Sequence, residues 1–175
     1  MNFEDVDTHE HATRKFLIRK VSEKLLARLI QDAQNSPSLL NSQPCHVYAV
    51  MGDARINLCR EYEALVRAGK HPQEDFAAML SLHWDTFPSQ NMVNFGASQS
   101  YFFRDKLSLF TKANDTMFNA PVLVYLTIPK ASPAWSIFDL GIFVQSLMLL
   151  AINKGLAVIP AHSLVAYPEL VRKYA

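Results

Sequence analysis

Two groups of residues have the types and spacing to hold a ligand. Arg14, Lys15, Arg19 and Lys20 form a basic segment that could meet a phosphate. Ser38, Asn41 and Gln43 offer hydroxyl and amide groups to a heterocycle, from a loop pinned by Pro37 and Pro44. Side-chain nucleophiles are poorly supported. No G-x-S-x-G, G-x-x-x-x-G-K-[ST] or G-x-G-x-x-G occurs, and there are only five glycines. Cys45 precedes His46, but neighbours on a strand point to opposite faces. A thiol of ordinary pKa, about 8.5, also needs an activating neighbour. His9, Glu10 and His11 look like metal ligands, yet their i,i+2 spacing sets the imidazoles on different helix faces. No metal site is expected.

The composition sets the frame. The chain has 175 residues, enough for one domain, 1–175, with a real core. Half of the residues are hydrophobic and the net charge is +1, so neither a nucleic-acid nor an acidic-partner role is suggested. The first twelve residues are acidic and His-rich, unlike a secretory signal, which makes the cytoplasm the default. Cys45 and Cys59 form neither a disulfide framework nor a C-x-x-C motif.

The elements that must carry these groups follow from periodicity. Residues 2–11 suggest a short helix with Phe3 and Val6 on its buried side. Ser22 is an N-cap, and Leu25, Leu26, Leu29, Ile30 and Ala33 run at helical spacing to Gln34. Pro37 ends that helix. Residues 45–51 read as a strand, and Asp53 caps a helix that Gly69 closes. Residues 77–83 suggest a short helix and 91–100 a loop. His83, Trp84, Asp85 and Arg104 are candidates to face a pocket. Residues 121–128 (PVLVYLTI) have the composition of a strand covered on both faces. Residues 157–161 suggest a short strand ended by Pro160. Pro168 suits the first position of a last helix, 169–174.

The longest apolar element lies at 136–154, closed by Gly155. Its apolar residues cover nearly the whole helix surface, so it needs partners on every side. A membrane span needs about 20 apolar residues with few or no charges. Asp139 and Gln145 interrupt a shorter run, so burial in protein is expected.

Five segments in order carry a resemblance: HATRKF at 11–16, PSLLNSQP at 37–44, NAPV at 119–122, DLGIFVQSLMLLA at 139–151 and KGLAVIP at 154–160. Together they resemble the FMN-dependent nitroreductase family over the whole chain. The resemblance implies an α+β, three-layer sandwich with a mainly antiparallel or mixed sheet flanked by helices. It implies a homodimer with the long central helix at the interface and two flavin sites there. By the same resemblance His11, Ala12 and Arg14 belong to the segment at the flavin phosphate and ribityl end. Pro37, Ser38 and Asn41 approach the flavin of the partner subunit. Pro160, Ala161, His162 and Ser163 pass the ring edge, with a backbone N–H near N5. Asn91 and Asn94 are candidates for the ring's polar edge. The implied reaction passes hydride from NAD(P)H through FMN N5 to a nitroaromatic, quinone or similar acceptor. The chemistry belongs to the cofactor.

This sequence departs from the family pattern at three positions. Glu10 and Ala12 stand where the family usually has arginine and serine, which removes phosphate contacts worth about 1.5–3 kcal/mol each. Cys45 stands where an aromatic is usual. Family members also typically continue past the position of Ala175 with a strand and an arm. These departures motivate a second reading, a family member with weak or lost FMN binding that acts as a dimeric interaction protein.

Overall fold

The structure is a computed structural model that describes residues 2–76 and 81–175. Its architecture is α+β. Two strands, β1 (His46–Met51) and β2 (Val122–Thr127), pair antiparallel, with His46 opposite Thr127 and Met51 opposite Val122. Around them lie α1 (Phe3–His9), α2 (Glu23–Ala33), α3 (Gly52–Arg67), α4 (Thr86–Phe103), α5 (Leu107–Asp115), α6 (Trp135–Asn153) and α7 (Pro168–Tyr174).

Local chemistry accounts for several boundaries. The Asn2 side chain accepts from Asp5 N at 2.8 Å, and the Ser22 hydroxyl accepts from Leu25 N at 3.2 Å. Each satisfies a backbone donor that a helix start leaves unpaired. Gly69 and Gly155 follow α3 and α6 with φ of 65° and 74°, a left-handed stop that glycine adopts without steric cost. Pro168 begins α7.

The core gathers where α3 and α7 meet the sheet. Val50, Leu58, Cys59, Tyr62, Met117, Leu123, Tyr125, Tyr167 and Leu170 pack together there. A second buried set joins α1, α2 and α6 through Val6, Leu26, Leu29, Ala33, Phe143 and Ile152.

Five sequence expectations are corrected. Residues 91–100 are helical, inside α4; Gly96 and four serines or asparagines hide a helix that has no amphipathic stripe. Residues 157–161 join no ladder among the described residues, although Val158 O accepts from Thr13 N at 3.0 Å. Phe3 is 72% exposed, leaving Val6 to anchor α1. Asp53 lies within the first turn of α3, after an N-cap at Met51. In β2 only Leu123 and Tyr125 are buried; Val122, Val124 and Leu126 are half-covered. Of the helix expected at 77–83, residues 77–80 lie outside the described residues, and Ser81–His83 form a single 3-10 turn.

Two helices are unusual for their surroundings. The eighteen residues of α4 include no charged residue and no buried one, and Phe87, Phe95, Tyr101 and Phe102 are 60–80% exposed. Over the most apolar 18 residues of α6 the mean hydropathy is 1.8, and only 28% of that stretch is buried within the chain. An open groove of about 510 Å³ runs along α6 past Phe138, Gly141, Ile142, Gln145 and Leu149. By length and composition α6 could also cross a membrane. Its Asp139, buried at 5% exposure and bonded to a loop, argues for a place inside a folded protein.

Candidate functional site

The first group of expected site residues lies on a segment tied at both ends. Thr13 N donates to Val158 O at 3.0 Å and Phe16 N donates to Phe118 O at 3.3 Å. Arg14 is held between those bonds. Its guanidinium lies 5.5 Å from the centre of the Phe110 ring and donates to Ala12 O at 3.2 Å. It joins no carboxylate in an ion pair among the described residues, so its charge is available to an anion. His11, by contrast, turns back on its own chain, with Nδ1 2.7 Å from His9 O. Glu10 is tethered by Gln145 of α6, whose Nε2 donates to the carboxylate at 2.7 Å.

The Thr13–Val158 bond brings the start of the 157–163 segment alongside. Ser163 is fixed twice: its hydroxyl donates to Asn114 Oδ1 at 2.8 Å, and its carbonyl accepts from the Tyr62 hydroxyl at 2.9 Å. A 3-10 turn begins at His162, so the amides of Ala161, His162 and Ser163 precede its first internal bond, from Leu164 N to Ala161 O. Such leading N–H groups are free to donate outward. Burial pushes the Tyr62 hydroxyl up to about 12, so it remains a donor over the whole neutral range.

The second group is the 37–44 loop. Three non-glycine residues in it are left-handed: Leu40 at φ 50°, Asn41 at 57° and Gln43 at 44°. Such conformations cost roughly 1–2 kcal/mol each outside glycine, less for asparagine. The loop offsets this with its own bonds. Gln43 N donates to Ser38 Oγ at 3.0 Å, and Gln43 Nε2 donates to Ser36 O and Asn41 Oδ1, both at 3.2 Å. From outside, Asp139 accepts from Leu39 N, at 3.3 Å to Oδ1 and 3.1 Å to Oδ2. Beside the loop lies a cleft of about 300 Å³ lined by Gln34, Asn41, Gln43, Cys45, Val47 and Phe143.

Cys45 does not carry nucleophilic chemistry here. Burial, and then the nearby Asp139 carboxylate, push its thiol above the ordinary range, so the thiolate is scarce at neutral pH. Cys59 is buried, with its S–H donating to Met117 Sδ at 3.3 Å.

The structure thus assembles the expected residues into two places. In one, the 13–16 segment is bonded to Val158, and Arg14 and Ser163 each meet α5, at Phe110 and Asn114, with Tyr62 as a further support of Ser163 that the sequence did not announce. Ser38, Asn41 and Gln43 share the other. No hydrogen bond among the described residues joins the two places. Asn91 and Asn94 lie exposed on α4, where Asn94 Oδ1 accepts from Gln90 Nε2 at 2.9 Å. His83, Trp84, Asp85 and Arg104 line neither cleft; Arg104 stacks on Tyr101 at 4.8 Å.

Comparison with known proteins fits this arrangement. The chain is 31% identical over 171 residues to nitroreductase NfnB of Mycolicibacterium smegmatis, covering 92% of this chain and 70% of that protein. It is 23% identical over 194 residues to a 4-nitrobenzoate reductase of Pseudomonas putida, covering 99% and 78%. The crystal structure of the FMN-dependent nitroreductase NfnB from Mycobacterium smegmatis in complex with NADPH superposes with a TM-score of 0.88 at 25% identity, over 98% of this chain and 79% of that one. The family model described as the Nitroreductase family matches residues 9–174, and the chain belongs to that family.

Proposed function

We propose that this chain is an FMN-dependent NAD(P)H oxidoreductase of the nitroreductase type, a homodimer whose flavin sites are completed across the interface. The observation that carries this reading is that Arg14, which joins no ion pair among the described residues, lies on a segment bonded through Thr13 to the segment that leads to the amides of Ala161, His162 and Ser163. The guanidinium suits a phosphate, and the amides suit the electron-rich edge of a heterocycle. The residues present therefore fit FMN.

Arg14 would hold the phosphate, with the 11–13 backbone along the ribityl chain. Ala161, His162 and Ser163 would line the ring edge, and Tyr62 and Asn114 would fix Ser163 in place. Ser38 and Asn41 would reach the flavin bound by the partner subunit. The flavin held there would supply the hydride-transfer chemistry between a nicotinamide and an acceptor. The protein's part is to orient, to exclude water and to donate N–H bonds. The relatives favour NADPH as the donor and a nitroaromatic as the acceptor, since one is crystallised with NADPH and the other is named for 4-nitrobenzoate.

Among the departures behind the weak-binding alternative, Glu10 puts a carboxylate close in sequence to Arg14. Gln145 holds that carboxylate at 2.7 Å, which lessens its effect on an anion beside Arg14. The deciding experiment is a visible spectrum of the purified protein with added FMN, followed by NADPH oxidation with 4-nitrobenzoate. Flavin bands that stay with the protein and acceptor-dependent turnover are expected. A folded protein that stays colourless in excess FMN overturns the reading.

A further inference from the structure

We infer that Asp139 is a positioning residue for the cofactor, its buried carboxylate holding the backbone at Leu39 so that Ser38 and Asn41 are presented for contact. The inference deepens the flavin reading and rests on it. Asp139 is 5% exposed and is the only charged residue in the nineteen of α6. It forms no ion pair among the described residues. A buried carboxylate without a cation is costly to keep, so its one partner is informative. That partner is Leu39 N, which faces both oxygens, at 3.3 and 3.1 Å, across a sequence separation of 100 residues.

Leu39 sits at the pivot of the loop. Ser38 before it is extended, at φ −142° and ψ 159°, while Leu40 and Asn41 after it are left-handed. Strained backbone of this kind persists where surrounding contacts over-determine it. The other bonds holding residues 38–43 come from the loop itself or from Ser36. Those bonds set the loop's internal shape and hold it to the end of α2 through Ser36. The Asp139 bond ties it to a second element, α6, whose Ile137, Phe138 and Gln145 stay exposed within the chain. A charged acceptor makes a stronger bond than an amide would. The lone acid of an apolar helix thereby couples the placement of the flavin-facing loop to the placement of α6.

The test uses the full chain and four variants: Asp139→Ala, Asp139→Asn, Leu39→Pro and the Asp139→Ala/Leu39→Pro double. Leu39→Pro removes the donor N–H alone, and the extended Ser38 already has the conformation that a following proline requires. Amide hydrogen exchange at Asn41, Ser42 and Gln43 is measured without flavin, and FMN affinity by titration. Asp139→Ala and Leu39→Pro are each expected to speed that exchange and to weaken FMN about ten-fold, as loss of a charged hydrogen bond does. Asp139→Asn should restore most of both, and the double variant should be no worse than either single one, because both delete the same bond. Unchanged exchange and affinity in the single variants, or additive effects in the double, overturn the assignment. Should Asp139→Ala not fold, Leu39→Pro decides alone by the same criteria. A wild-type chain that takes up no FMN overturns the flavin reading instead, and the exchange data still judge the role of Asp139.

Discussion

In the proposed homodimer, replacing Phe138 by Asp should separate the two chains. Phe138 stands on the open groove of α6 and is 60% exposed in the single chain. An aromatic side chain buries about 150–250 Å², so covering the exposed part of Phe138 removes roughly 120 Å² from water, about 3 kcal/mol at about 25 cal/mol/Å². A two-fold interface uses the residue from both copies, which gives about 6 kcal/mol per dimer, or about four powers of ten in Kd. The new carboxylate adds a desolvation penalty in the same direction. Sedimentation of the variant at micromolar concentration should therefore show monomer where the wild type shows dimer. Flavin should be lost with it, because Ser38 and Asn41 would no longer reach the partner's site. The same outcome is expected of Leu147→Asp or Met148→Asp, which lie on the half-buried part of the helix. A Phe138→Asp dimer of unchanged affinity, or a monomer that keeps flavin, would refute the reasoning.

Three further outcomes are expected. Arg14→Ala should weaken FMN by about ten- to a hundred-fold in a titration, since it deletes a charge-assisted bond, while far-UV circular dichroism stays the same. Ser22→Ala should lower stability by about 1 kcal/mol through loss of the α2 cap, and Tm by about 2–4 °C in a thermal melt. Tyr62 and Tyr125 both hold their protons more tightly in the folded state, because burial raises each above the ordinary tyrosine value. Their contribution is complete below about pH 10 and is lost as pH rises toward 12, at about 1.4 kcal/mol per pH unit per tyrosine. Denaturant titrations at about pH 9 and 11 should show that loss, and Tyr62→Phe should reduce its slope.

Local signals served well where one interaction decides. The Ser22 cap, the glycine stops at Gly69 and Gly155 and the proline start of α7 were all legible, because each depends on a residue and its near neighbours. The order of the five motifs identified the family. The helix at α4 was not legible. Periodicity reports a helix through contrast between a wet and a dry face, and α4 has neither charges nor burial to supply that contrast. Residues 157–161 read as a strand from composition, yet they join no ladder among the described residues and the Val158 carbonyl serves Thr13 instead. Asp139 was visible only as an interruption in an apolar run. Its meaning depends on Leu39, which no local pattern connects to it. Tyr62, Phe110 and Asn114 escaped for the same reason, each being tied to the site from another part of the chain.

The bare, chargeless surface of α4 has a consequence for how the protein comes into being. A chain with Phe87, Phe95, Tyr101 and Phe102 open to water, beside an α6 that is mostly uncovered, is at its most vulnerable between synthesis and pairing. Protomer concentration then governs its fate. Dilution lengthens the interval in which sticky helices meet the wrong surface, and crowding with its own kind shortens it. Recovery of active protein after denaturation should accordingly rise and then fall with chain concentration, first as correct pairing outpaces loss, then as indiscriminate contact overtakes it. The helix that is least informative in sequence would thus set the window of conditions in which the enzyme can be made at all.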